Sequence, residues 1–174
     1  MHAMGKTVTV ISMVLMLLVS CNEILPDYPD EPVVDYQGFG LYIVVDQLGN
    51  KTLVGRLTFE FTDGDGNLGL YPLPEDTSPG LPDSLKYNFY LQLYDLKGYE
   101  YVKIPESEGG ELKYRIPYLD KQPTSGTMDL DISFPLIIYD TVFYTFYIVD
   151  RDYNRSNTDT TEVIILSGID LEEI

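Results

Sequence analysis

The feature that most constrains the fold is a strict alternation of apolar and polar residues in two segments. Over residues 57–62, leucine and phenylalanine alternate with threonine and glutamate, and residues 128–134 repeat the pattern with Met, Leu, Ile and Phe. An apolar side chain at every second position is typical of a β-strand with one buried face. No segment after residue 21 keeps the spacing of an amphipathic helix. The alternation therefore predicts an all-β chain.

Further apolar runs are separated by turns rich in glycine, asparagine and aspartate. These runs cover residues 39–45, 87–96, 99–104, 112–118, 142–149 and 161–166. Seven or eight short strands with regular turns predict an antiparallel β-sandwich. We place it in a single domain, residues 36–174, in which the proline-rich segment 71–83 forms a surface loop.

The amino-terminal end carries an uncharged apolar run, residues 8–19, which follows the single basic residue Lys6. Crossing a bilayer takes about 20 apolar residues, so this run is too short to remain as a membrane-spanning helix. A short apolar run after a basic residue is typical of a signal peptide that is removed from the mature chain. We therefore assign residues 1–20 to a signal peptide.

The signal segment ends in Leu18-Val19-Ser20-Cys21, with a small residue directly before the only cysteine. This resembles the bacterial lipobox, which Leu18, Ser20 and Cys21 match residue by residue. The resemblance implies cleavage after Ser20 and lipidation of the Cys21 thiol, and two or three acyl chains hold a protein stably on a bilayer. Asn22 in the next position implies the outer membrane, with the leaflet open. Ordinary secretory cleavage is the alternative.

Residues 21–35 are acidic and have a proline at every third position from Pro26 to Pro32. Such a segment favours an extended polyproline-like path of about 3.1 Å per residue. We interpret it as a tether that holds the sandwich away from the lipid. The two valines near its end are also compatible with the start of the first strand.

A finer resemblance comes from residues 136–166. The strand pattern from Tyr144 to Asp150, the asparagine turn at Asn154 and Asn157, and a final apolar strand resemble the last hairpin of an immunoglobulin-like or fibronectin type III-like domain. The resemblance implies a sandwich of that type, with Tyr144 in the tyrosine-corner position. The chain has no tryptophan, which excludes the Cys-Trp-Cys core of antibody domains.

The net charge and the residue types that the mature chain lacks exclude several classes of function. Removing residues 1–20 takes away His2, the only histidine, and leaves 10 basic and 28 acidic residues, a net charge of −18. Nucleic-acid binding is excluded, because the phosphate backbone needs neutralisation by Lys and Arg. With Cys21 lipidated, no imidazole or free thiol remains for triad catalysis, zinc binding or disulfides. We therefore predict that the protein is not an enzyme.

Two loops offer carboxylate and amide oxygens at alternate positions. Their six residues are Asp63, Asp65, Asn67, Asp150, Asp152 and Asn154. The first loop resembles the start of an EF-hand loop, although Leu68 replaces the glycine at the sixth position and Pro74 the glutamate at the twelfth. If both loops emerge at one end of the sandwich, their oxygens can surround one Ca²⁺ ion. The alternative is ordinary turn chemistry, in which the side chains satisfy their own backbones.

Tyrosine is abundant, and all 15 tyrosines follow the signal segment. The four that we expect to form an aromatic strip are Tyr90, Tyr94, Tyr99 and Tyr101. Aromatic rings are frequent anchors for sugars and protein partners. The alternative is that these rings simply cover a sheet, because tyrosine is a favoured strand residue.

These features predict an outer-membrane lipoprotein that displays a non-catalytic sandwich as a structural or protein-interaction module. A glycan-binding accessory lipoprotein is one alternative, suggested by the tyrosines. A calcium-dependent adhesion domain is another, suggested by the two acidic loops. The expected partners are the membrane, through the acyl chains, and a protein or a glycan. We expect no cofactor other than a structural Ca²⁺.

Overall fold

The computed structural model describes residues 28–73, 81–118, 125–134 and 138–169, and these residues form an antiparallel β-sandwich. The all-β prediction is therefore confirmed. The strands are β1 (Val33–Val45), β2 (Lys51–Thr62), β3 (Phe89–Lys97), β4 (Glu100–Lys103), β5 (Glu111–Tyr114), β6 (Ser125–Phe134), β7 (Thr141–Ile148), β8 (Asp159–Thr160) and β9 (Ile164–Ile165). The described helices are one α-helical turn, Asp83–Lys86, and one 3₁₀ turn, Glu106–Glu108.

The strands form two sheets, and every strand pair is antiparallel. The three-stranded sheet has the order β1-β2-β6. In the six-stranded sheet, β3 pairs with β4 and β5 on one side and with β7 on the other, and β8 and β9 both pair with β7. Strands β8 and β9 are one interrupted edge strand, which is why nine strands are present where seven or eight are predicted. The immunoglobulin-like or fibronectin-like type stays a prediction.

The alternating residues of β2, β3 and β7 form the core between the sheets. Their fully or almost fully buried side chains are Leu57, Phe59, Phe61, Phe89, Leu91, Leu93, Val142, Tyr144, Phe146 and Ile148. The ring of Phe59 in the three-stranded sheet lies 5.1 Å from that of Phe89 and 5.5 Å from that of Phe146. The two sheets are therefore joined by contacts between aromatic rings. The rings are tilted against one another, an arrangement that aromatic pairs prefer to face-to-face stacking.

The sandwich begins earlier than the predicted boundary at residue 36. Strand β1 starts at Val33, and Val34 is buried in the core. The side chains of Asn157 and Asp159 accept hydrogen bonds from the backbone N–H groups of Val34 (2.9 Å) and Tyr36 (2.7 Å). The last three residues of the predicted tether thus belong to β1, where burial of Val34 and the hydrogen bonds to Asn157 and Asp159 hold the chain in the sheet.

The signal peptide, Cys21 and the first part of the tether lie outside the described residues, so lipidation and the outer-membrane location stay predictions. Within the described ranges, the structure contains no helix long and apolar enough to span a bilayer.

Candidate functional site

The two acidic loops lie side by side at one end of the sandwich. One follows β2 and the other follows β7, and these strands belong to different sheets. The Arg151 backbone N–H donates to the Asn67 carbonyl oxygen at 3.4 Å, and the Arg151 guanidinium donates to the Gly69 carbonyl oxygen at 2.8 Å. The backbone and the side chain of Arg151 therefore hold the two loops together across the gap between the sheets.

Three carboxylates from these loops converge. Asp63, Asp65 and Asp150 each place one oxygen within 4.8 Å of the others. Asp63 is fully buried, and its Oδ2 accepts a hydrogen bond from the Leu68 backbone N–H at 2.6 Å. Asp150 is also buried, whereas Asp65 is exposed. We name Asp63, Asp65, Asn67 and Asp150 the acidic loop cluster.

The other predicted ligands take different roles. The Asn67 amide donates to Asp65 at 2.7 Å and to Asp152 at 3.0 Å, so Asp152 contacts the cluster through Asn67. Asn154 donates its backbone and side-chain N–H groups to Asp150 at 2.7 and 2.8 Å. This Asp150–Asn154 pair is the side-chain-to-backbone turn chemistry of the alternative interpretation. The turn chemistry is therefore present at Asp150 and Asn154, and calcium binding stays a prediction.

Burial and like charge both act on Asp63. Desolvation raises the pKa of the Asp63 carboxyl to about 6, and the charges of Asp65 and Asp150 add to this effect. The hydrogen bond from the Leu68 N–H opposes the increase in pKa. A carboxylate that is buried beside two others is stabilised by a cation. Three carboxylates that share one small volume, one of them with a raised pKa, make this cluster the candidate cation site of the described residues.

The second candidate site is the outer face of the six-stranded sheet. Because the alternate residues of β3 and β7 point into the core, Tyr90, Tyr94, Phe143 and Tyr147 point outward. Tyr90 lies opposite Tyr147 with ring centroids 5.0 Å apart, and Tyr94 lies opposite Phe143 at 4.8 Å. Tyr101 of β4 packs its ring against Phe143 at 4.8 Å, nearly perpendicular to it. We call these five rings the aromatic face.

Tyr99, the remaining member of the predicted strip, lies apart from this cluster. It occupies the turn between β3 and β4 and is fully exposed. Sequence reasoning missed Phe143 and Tyr147, although a signal was present. The buried residues Tyr144 and Phe146 alternate with them, which places Phe143 and Tyr147 on the opposite face of the strand.

Basic side chains flank the aromatic face. Lys103 lies opposite Tyr94 across the β3–β4 pair, and within the described residues it forms no salt bridge. The Arg155 guanidinium carbon lies 3.7 Å from the centre of the Tyr147 ring, a cation–π contact. A groove of about 360 Å³ runs between these groups and also includes Gln92, Thr145 and Glu111.

The outer face of the three-stranded sheet is different. Asp131 accepts hydrogen bonds from the Arg56 guanidinium at 2.7 and 2.9 Å and from the Tyr42 hydroxyl at 2.7 Å. The Thr58 hydroxyl donates to Asp129 at 2.6 Å. Polar side chains on this face therefore satisfy one another. We call these five residues the polar face.

Comparison with known proteins found no matching protein-family model, no matching curated protein and no matching solved structure.

Proposed function

We propose that this protein is a lipid-anchored component of the bacterial cell envelope, held at the outer membrane by acylated Cys21. In this proposal, its sandwich is a non-catalytic module that binds a protein partner through the aromatic face. The observation that carries the proposal is the clustering of Tyr94, Tyr101 and Phe143 on one outer face of the sandwich, beside Lys103.

The chemistry of this face favours an acidic partner. Tyrosine and arginine are enriched among the residues that dominate binding energies at protein interfaces. The predicted mature chain has a net charge of −18, so a surface that combines rings with Lys103 and Arg155 is a local exception. Complementary charge speeds encounter and selects the partner. A carboxylate-bearing protein surface therefore fits this face better than it fits the polar face.

The binding proposal can be tested by photo-crosslinking in cells. A photoreactive phenylalanine analogue replaces Tyr101 on the aromatic face or, as the matched control, Tyr42 on the polar face. We expect a discrete crosslinked product from position 101 alone, and we expect Lys103→Glu to remove it. Equal products from both positions, or a product that survives Lys103→Glu, would count against this surface.

A second candidate function is glycan binding, favoured by the open groove along the aromatic face. The groove carries tyrosine rings, Lys103 and Arg155 as well as the carboxylate of Glu111, and its two cations could pair with a polysaccharide that carries carboxylates. Affinity electrophoresis in gels that contain polygalacturonate or dextran separates the cases. Retardation by the acidic polymer alone, removed by Lys103→Glu, would favour the glycan. Unchanged mobility in both gels would leave only the protein partner.

The anchor has its own test. Cells that express the protein are grown with radiolabelled palmitate, and Cys21→Ala is the control variant. We expect the parent chain to carry label and to fractionate with the outer membrane, and the variant to lose both properties. An unlabelled parent chain in the aqueous fraction would disprove the anchor without affecting the binding proposal.

A further inference from the structure

We propose that the acidic loop cluster binds one Ca²⁺ ion, held by Asp63, Asp65 and Asp150, with Asn67 beside them through the hydrogen bond from its amide to Asp65. Ca²⁺ lies about 2.3–2.6 Å from its oxygen ligands, so two oxygens on one ion are at most about 5 Å apart. The three carboxylate oxygens, all within 4.8 Å of one another, meet this limit. Asp63 and Asp65 come from the loop after β2 and Asp150 from the loop after β7, so one ion would bridge the two sheets.

Two buried oxygens provide independent support for a bound cation. Within the described residues, neither Asp63 Oδ1 nor Asn67 Oδ1 has a hydrogen-bond partner. Asp63 is 0 % exposed and Asn67 is 8 % exposed, so water does not reach these groups freely. Buried polar atoms nearly always have a partner, and a missing one needs an explanation. A cation between the loops would give the Asp63 carboxylate a positive partner.

The donor set selects the kind of ion. The three converging side chains all offer carboxylate oxygen, which hard cations prefer over the nitrogen and sulfur ligands of zinc or copper. Ca²⁺ accepts irregular geometry and six to eight ligands, whereas Mg²⁺ requires a near-ideal octahedron and keeps its waters. A cluster from two loops, with one exposed carboxylate at Asp65, can take Ca²⁺ with water in the remaining positions.

The same loop contacts the first described residues of the chain. The Gly64 backbone N–H donates to the Pro29 carbonyl oxygen at 2.8 Å. A side chain at residue 64 would collide with the backbone oxygens of Tyr28 and Pro29. Because residue 64 lies between two ligands, an ion that orders this loop also orders the segment packed on it. Bound Ca²⁺ therefore orders the contact between Gly64 and residues 28–29, which precede the first strand.

The test uses calorimetry and thermal unfolding of the whole protein, purified from membranes in detergent, with Ca²⁺ and Mg²⁺ as probes. We expect Ca²⁺ to bind with a dissociation constant between about 1 µM and 1 mM and to raise the Tm by several degrees. Mg²⁺ should have a much smaller effect. Asp63→Asn should weaken Ca²⁺ binding at least tenfold yet stay folded, because the variant no longer buries a charge. Asp129→Asn, on the polar face, is the matched control.

Hydrogen exchange measures whether Ca²⁺ orders the contact between Gly64 and residues 28–29. Ca²⁺ should slow amide exchange at Gly64 in the parent chain, and Gly64→Ala should reduce this protection without removing the calorimetric heat. Gly40→Ala is the control, since a side chain at residue 40 meets no atom within 4 Å.

Several results would overturn the proposal. No heat and no Tm change at about 10 mM Ca²⁺, ten times the weakest expected dissociation constant, would show that the cluster is only a pair of turns. An equal response to Mg²⁺ would disprove the choice of ion. An equal loss in Asp129→Asn would show that Ca²⁺ binds elsewhere. Ca²⁺ binding that leaves amide exchange at Gly64 unchanged would disprove the ordering of residues 28–29. None of these results bears on the aromatic face.

Discussion

On the polar face of the sandwich, hydrogen bonds and one salt bridge pair the side chains with one another, whereas on the aromatic face rings stack on rings. Arg56 and Tyr42 both donate to Asp131, so both carboxylate oxygens of Asp131 accept hydrogen bonds. Phe143, in contrast, contacts Tyr94 and Tyr101 and still leaves ring edges in contact with solvent.

The two faces differ in what their cross-strand pairs leave exposed, and the proposed binding function rests on this difference. Both faces obey the same rule, since residues directly opposite each other on paired strands interact. On the polar face these cross-strand pairs satisfy the hydrogen-bonding groups of the polar side chains, while Val44 on the same face stays exposed. On the aromatic face the pairs preorganise rings whose remaining apolar area a partner can cover. Rigid rings lose little conformational entropy on binding, which favours an interface.

The largest expected effect concerns the core that the two faces share. Phe59→Ala removes a fully buried ring that contacts Phe89 and Phe146 across the sheets. We expect the free energy of unfolding to fall by about 3–5 kcal/mol, measured by urea denaturation followed by circular dichroism. A loss below about 1 kcal/mol would mean that the sheets do not pack through this ring, and the two faces would no longer belong to one cooperative unit.

A smaller effect is expected on the aromatic face. Phe143→Ala removes a half-buried ring together with its contacts to Tyr94 and Tyr101, which should cost about 1–3 kcal/mol of stability. Thr145→Ala, two residues along the same strand, is the control without a ring. If both variants unfold at the same urea concentration, the stacked rings do not stabilise the sheet and serve only a partner.

The polar face should tolerate change. Thr58→Ala removes an exposed hydrogen bond to Asp129 and should change the free energy of unfolding by no more than about 0.5 kcal/mol. Urea denaturation of Thr58→Ala and Phe143→Ala under the same conditions compares their free energies of unfolding directly. A cost as large as that of Phe143→Ala would remove the energetic distinction between the two faces.

The smallest effect is a pH dependence confined to the polar face. Hydrogen bonds from Arg56 and then Tyr42 lower the pKa of Asp131 to about 2. A carboxyl whose pKa is lower in the folded chain adds stability above its unfolded pKa of about 4 and loses it as pH falls towards 2. The Asp131 side chain is 46 % exposed, so the contribution is small.

Asp131→Asn should therefore flatten the decline of Tm between about pH 4 and pH 2, whereas Phe143→Ala should lower the Tm equally at both pH values. A decline that is identical in Asp131→Asn and in the parent chain would show that other carboxyls account for it.

Much of this structure could be predicted because strand patterning is local. The alternation around Phe59 and Ile132 predicted buried strand faces, and both residues are buried. The turn that follows β2 was predicted from its Asp-Gly-Asp-Gly run. Less local features were harder to predict: the sequence left open whether the two valines before residue 36 begin the first strand, and burial of Val34 by distant residues decides that they do. Tyr99 leaves the aromatic strip because the β3–β4 turn carries it outward.

The amino-acid sequence alone determined the all-β class, the strand faces and the oxygen-bearing side chains of two loops, since each depends on the spacing of neighbouring residues. Only the tertiary structure decided that Asp63 and Asp150 meet, that Asn154 serves as a donor to Asp150, and that Phe143 and Tyr147 complete the aromatic face. These contacts join residues from distant parts of the chain. Their geometry follows from how two sheets pack and which strands pair, which no local pattern encodes.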